Sequence, residues 1–193
     1  EWIASVNRGH EILKNCCDSI IIAGFSTGAA VALHQVIQQP DAFAALISIS
    51  APLKFKKFSA NFAGPVNRWN KLLRNLNGPL LSTVPWRKEF VTNHADNPQI
   101  NYLRCPVSSI VEIKLLMKEV CRGLSTIHIP TLVVHADKDP KVDVQSGRDI
   151  VARMRSCKAQ YQEIDFHLHG IIRGEVSEQV FNKVGLFLKH ALI

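Results

Sequence analysis

The sequence lacks any apolar run close to the roughly 20 residues that a membrane-spanning helix needs. Its longest, from Ser19 to Phe25, suits a buried strand instead, and no stable membrane insertion is expected. No basic stretch followed by an apolar core opens the chain, so its start does not read as a secretion signal. The first residue is Glu1 rather than Met, as in a cut or processed piece of a longer protein. There is no internal repeat and no low-complexity tract. Cysteines are few (Cys16, Cys17, Cys105, Cys121 and Cys157) and none shows the CxxC spacing of a zinc site. All five are expected to be free thiols, which fits a reducing, cytoplasmic setting. No metal or nucleotide motif is present, so no cofactor and no metal are expected.

What is there is ordinary globular material. Hydrophobic residues make up 47% and charged residues 20% of 193 residues, enough to bury a core without cross-links. The net charge of +7 comes from 23 Lys and Arg against 16 Asp and Glu. It is scattered, apart from Lys54, Lys56 and Lys57 interleaved with Phe55 and Phe58. With no basic stripe or binding motif beside it, that cluster reads as a solvated loop with two apolar anchors, and no nucleic-acid partner is expected.

Hydrophobic spacing predicts a helix over Trp2–Cys16, a strand over Asp18–Phe25, a helix over Ser26–Gln39 and a strand over Ala44–Ser50. The same alternation returns with Thr131–Ala136 (strand), Gln145–Met154 (helix), Ala159–Asp165 (strand) and Ser177–Ile193 (helix). Strands alternating with helices imply βαβ units and a mostly parallel sheet flanked by helices, an α/β fold. Between the two halves the pattern breaks into a proline-punctuated stretch with helices near Val66–Leu76 and Ser109–Arg122. The expected organisation is therefore a core from residues 1–52 and 129–193, with 53–128 inserted between two sheet strands.

The sharpest motif is Gly24-Phe25-Ser26-Thr27-Gly28, a G-x-S-x-G placed between a strand and a helix. A tight turn there lifts the Ser26 hydroxyl above the sheet, and flanking glycines relieve crowding. The helix that follows aims free N–H groups at a developing oxyanion. A serine hydroxyl is a weak nucleophile and needs a base held by a third group. The acid is expected after a later strand, where Asp137 and Asp139 compete; Asp139, next to the stiffening Pro140, is favoured, and Asp137 reads as a turn residue capping local N–H groups. The base is expected after the last strand, where His169, just before Gly170, is favoured over His167. His135, at a strand end, is placed beside the acid loop.

With Gly24–Gly28, Ala136-Asp-Lys-Asp139 and His169-Gly170 in this order, the chain resembles the α/β-hydrolase fold, most closely its carboxylesterase and monoacylglycerol-lipase-like branch. Trp2 ahead of the first helix, Ile49-Ser-Ala-Pro52 and Ile129-Pro-Thr-Leu-Val-Val support the likeness. It covers most of the chain except the insertion, which corresponds to the family's variable cap. The resemblance implies Ser26 as nucleophile, His169 as general base, Asp139 as its orienter, and the backbone of Thr27 as one oxyanion-hole donor. It implies a small-molecule acyl ester as substrate, with Trp69, Trp86 and Ile110 of the cap as candidates to line the acyl pocket. The strands that precede Trp2 in the family, one loop of which gives the second oxyanion donor, have no counterpart here. A partial α/β-hydrolase with low activity is the expectation, since losing one such donor costs about 100- to 1000-fold in rate. A bared sheet edge beside Ile20–Gly24 would also favour a homo-oligomer. The same three residues would serve a thioesterase, acyltransferase or peptidase, and a non-catalytic binding module is the remaining alternative.

Overall fold

The β-branched and apolar stretches of the sequence pair into one parallel sheet. A computed structural model describes residues 1–56, 63–76, 89–92, 102–154 and 158–191. The strands are β1 (Ile21–Phe25), β2 (Ala45–Ile49), β5 (Thr131–Ala136) and β6 (Ala159–Ile164), hydrogen-bonded in the order β1-β2-β5-β6, all parallel. Each expected strand is found, with β5 at the anticipated bounds. The helices are α1 (Trp2–Leu13), α2 (Thr27–Gln38), α3 (Ala63–Leu76), α4 (Val107–Gly123), α5 (Gln145–Arg153) and α6 (Ser177–Ala191).

Alternation along the strands divides the core into two layers. Ile22, Leu46 and Val133 face one side, where they pack with the buried residues of α2, Val120 of α4 and Ile150 of α5. Ala45, Ile47, Ile49, Leu132, Val134 and Ala136 face the other, against Ile164, Ile171 and the Val180 and Phe187 positions of α6. A parallel sheet covered on both faces needs apolar residues at every position, and β2 and β5 are buried throughout.

Two sequence expectations change. β1 was expected to be buried on both faces, yet Ala23 is exposed. β1 is the edge strand, and its outer side has no partner among the described residues. Helix α1 ends at Leu13 rather than Cys16, because the chain there switches to three-residue turns, Asn15 N–H to Ile12 O and Cys16 N–H to Leu13 O.

The chain divides into two units, Glu1–Lys56 with Leu116–Ile193, and Lys57–Leu115. The second holds α3, the start of α4 and an antiparallel pair, β3 (Phe90–Thr92) with β4 (Arg104–Pro106), that the sequence reading did not anticipate. Among the described residues, no helix is long and apolar enough to cross a membrane, and no group of His, Cys, Asp and Glu is placed to hold a metal ion. Cys16, Cys17, Cys105 and Cys121 are free thiols, while Cys157 lies outside the described residues.

Ile150 is fully buried where α5 meets the sheet. Truncating it leaves a cavity, so Ile150→Ala is expected to lower unfolding stability by about 2–5 kcal/mol, read from urea unfolding curves.

Candidate active site

Parallel strands direct all their C-terminal ends to one edge of the sheet, and loops leaving that edge converge. Ser26 follows β1, Asp139 follows β5 and His169 follows β6, all in the sheet-bearing unit. Ser26 sits at the junction with α2 at φ 55° and ψ −121°, a strained setting for a residue with a Cβ. Its N–H is tied to Ile49 O at 2.8 Å, and its carbonyl accepts from Ala29 and Ala30 N–H at 3.0 and 3.2 Å. The turn is thereby fixed from both sides.

The two glycines of the motif play different parts. A Cβ on Gly24 would overlap the Gly28 carbonyl and the Ala29 nitrogen, whereas a Cβ on Gly28 would meet nothing. Gly24 is required because the backbone of Gly28 passes directly over it. The sequence expectation that both glycines relieve crowding holds for Gly24 alone.

The three favoured polar residues come together. His169 Nε2 lies 2.7 Å from Ser26 Oγ, and His169 Nδ1 lies 2.6 Å from Asp139 Oδ2. A carboxylate facing Nδ1 fixes the proton there and leaves Nε2 as the acceptor for the serine O–H. The Phe25 ring lies against the His169 ring, centroids 5.0 Å apart. Asp139 is fully buried, and its other oxygen accepts from Lys141 N–H at 2.8 Å and Val142 N–H at 3.0 Å. Burial pushes the Asp139 carboxyl up, but the hydrogen bond and charge of His169, with the Val142 and Lys141 N–H groups, outweigh it and hold it below the usual carboxylate value. It stays ionised at neutral pH, as an orienting carboxylate must.

The competing candidates are placed elsewhere. Asp137 Oδ1 accepts from Phe166 N–H at 2.9 Å, a donor after β6 rather than in its own turn, while His167 is exposed with its ring beside Phe166. Thr27 is the first residue of α2, in the turn whose N–H groups lack intrahelical partners. Trp69 is half-exposed on α3 and Ile110 half-buried on α4, both in the second unit. Trp86 lies outside the described residues. His135 packs beside the acid, as its place at a strand end suggested, with Nε2 3.7 Å from Asp139 Oδ2. The sequence reading missed Lys56, whose Nζ donates to Asp139 O at 3.0 Å, and Phe25. The alternation of β1 does not reveal that the Phe25 ring meets a histidine from a distant loop.

Comparison with known proteins adds a family. A family model described as serine aminopeptidase, S33, matches residues 6–176. The thermostable monoacylglycerol lipase of Bacillus sp. (strain H-257) is 25% identical over 142 residues, 72% of this chain and 50% of that protein, so the chain spans half the length of the curated relative it matches. Among solved structures, one from the metagenome-derived lipolytic enzymes LipS and LipT is 17% identical with a TM-score of 0.79, covering 98% of this chain and 72% of that one. The Paleococcus ferrophilus monoacylglycerol lipase is 17% identical with a TM-score of 0.73, covering 97% and 74%. A soluble variant of the Saccharomyces cerevisiae monoglyceride lipase is 12% identical with a TM-score of 0.71, covering 98% and 67%. At these identities the structures share the fold.

Two outcomes follow from the geometry. Gly24→Ala should disrupt the turn and lower the thermal midpoint by several degrees or prevent folding, whereas Gly28→Ala should leave it nearly unchanged in circular dichroism melts. Burial also pushes His135 down from its ordinary 6.5 to about 4. Between those values the unfolded chain binds a proton that the folded chain does not, so stability is full above the upper value and falls as pH drops through the window. The contribution is on the order of 3 kcal/mol. Urea unfolding at a series of pH values should show this slope in the parent and a flatter one in His135→Leu.

Proposed function

Because the chain belongs to the serine aminopeptidase S33 family of α/β-hydrolases, we propose that it is a serine hydrolase that cleaves carboxylic esters, with Ser26 as nucleophile, His169 as general base and Asp139 as its orienter. The observation that carries this reading is the unbroken hydrogen-bond chain from Ser26 Oγ through both ring nitrogens of His169 to Asp139 Oδ2, at 2.7 and 2.6 Å.

In this mechanism Ser26 Oγ attacks the ester carbonyl carbon while His169 Nε2 takes its proton. The Asp139 carboxylate stabilises the imidazolium that forms. The carbonyl oxygen becomes an oxyanion, and the Thr27 backbone N–H at the start of α2 donates to it. Collapse of the tetrahedral intermediate expels the alcohol, which receives the proton from His169 Nε2. Water then attacks the acyl-enzyme by the same route and releases the acid and free Ser26.

An ester is favoured over a peptide because the curated relative is a monoacylglycerol lipase. The aminopeptidase description of the matching family supports the second reading, a peptidase using the same residues. A fluorophosphonate probe is expected to label the parent at Ser26, and Ser26→Ala to abolish both labelling and hydrolysis of short-chain monoacylglycerols. Asp139→Asn, which leaves His169 without an anionic partner, should cut the rate by about 10⁴. Release of amine from aminoacyl amides without release of fatty acid from monoacylglycerols would decide for the peptidase. Parent-level hydrolysis by Ser26→Ala would sink both readings.

A further inference from the structure

His135 is fully buried, and neither of its ring nitrogens has a hydrogen-bond partner among the described residues. A buried imidazole without partners costs free energy that a hydrocarbon side chain in the same slot does not. Packing alone therefore gives no reason for this residue type. The slot is tight: a Cβ on Gly147 of α5 would lie 3.3 Å from His135 Nδ1 and would overlap the Tyr161 ring. The ring is thus held in place from the α5 side. On the other side its Nε2 lies 3.7 Å from Asp139 Oδ2. That is the oxygen that accepts from His169 Nδ1.

We propose that His135 is a positioning residue for the hydrolysis proposed above: as a neutral imidazole it directs its Nε2–H dipole at Asp139 Oδ2 and so tunes how tightly that oxygen holds His169. The inference rests on that reading of the site. A neutral ring is needed, because a cation at this position would compete with His169 for the carboxylate. Burial supplies the neutrality by pushing His135 down to about 4, against the pull of Asp139, Glu163 and Asp143 and with the help of His169. These groups come from the acid loop, β6, the turn before α5 and the loop after β6, the surroundings of the ring.

The dipole draws electron density from Oδ2. Without it, Oδ2 holds the His169 Nδ1 proton more strongly and favours the imidazolium. Two readouts follow in His135→Leu, and in His135→Phe should the leucine variant not fold. The low-field proton resonance of His169 Nδ1–H, assigned by its loss in His169→Gln, should move further downfield. The acidic limb of the rate of Ser26 phosphonylation should move to higher pH, a two- to fivefold drop, roughly, in the proton concentration at half-maximal rate. His135→Gln, whose amide places a donor near the Nε2 position, should return both towards the parent. A residue that only fills space would move neither readout. An unmoved resonance and limb in the leucine or phenylalanine variant, or a glutamine variant that behaves like leucine, overturns the proposal. If the parent is not phosphonylated at Ser26, the catalytic reading itself fails, and the resonance, which needs no turnover, still decides whether His135 acts on Asp139.

Discussion

One close approach governs the arrangement of the site: the backbone of Gly28 crossing directly over Gly24. It forces β1 to hand over to α2 in a single residue, and that residue, Ser26, takes up φ 55° as a result. Strain of this kind costs about 1–3 kcal/mol and persists only where the surroundings over-determine it. Here they do. The Ser26 N–H is anchored to β2, its carbonyl begins the hydrogen bonding of α2, and the next turns of α2 carry a run of buried residues from Ala29 to Val36. The hydroxyl is therefore presented by a rigid element rather than by a flexible loop.

The second constraint is electrostatic. A fully buried carboxylate is tolerated only when its oxygens are matched by donors. Asp139 meets this with two backbone N–H groups on Oδ1 and the His169 ring on Oδ2. The same bonds that make the buried charge tolerable also orient the imidazole. Structure and chemistry are here one requirement: weakening the hydrogen bonds of Asp139 both exposes an uncompensated charge and releases the base.

Most of this was readable from the residues because the signals were local and redundant. G-x-S-x-G carries its strand before it and its small-residue helix after it, and Asp139 announces itself by the turn that ends in Pro140. The burial of β2 and β5 follows from short, largely apolar runs, into which Ser48, Thr131 and His135 are drawn. What escaped depends on contacts far apart in sequence. The exposure of Ala23 depends on which strand lies at the edge, which composition does not encode. The pair β3 and β4 is short, contains Pro106 and joins segments well separated in sequence, so no periodicity marks it. Gly28 looks like Gly24 in the motif, and only the crossing of the two backbones tells their tasks apart.

The basic cluster shows how a residue's surroundings override its type. Lys54, Phe55 and Lys56 read as a solvated loop, and the lysine side chains are indeed exposed. Yet the segment is laced to the acid loop. Phe55 bridges Val142, Lys56 N–H donates to Lys141 O, Asp143 N–H donates to Lys54 O, and Lys54 N–H donates to Ser146 Oγ. The exposed ion pair of Lys54 with Asp143 adds little, as surface pairs do. The backbone bonds matter more, since each removes freedom from a loop that must hold Asp139 against His169 within a few tenths of an ångström. Lys56 completes the set by donating to the carbonyl of Asp139 itself. The residues leaving β2 thus act as a clasp on the turn after β5. The acid is held by bonds within the sheet-bearing unit, and a lysine that reads as merely solvated serves, at Lys56, the carbonyl of the acid residue.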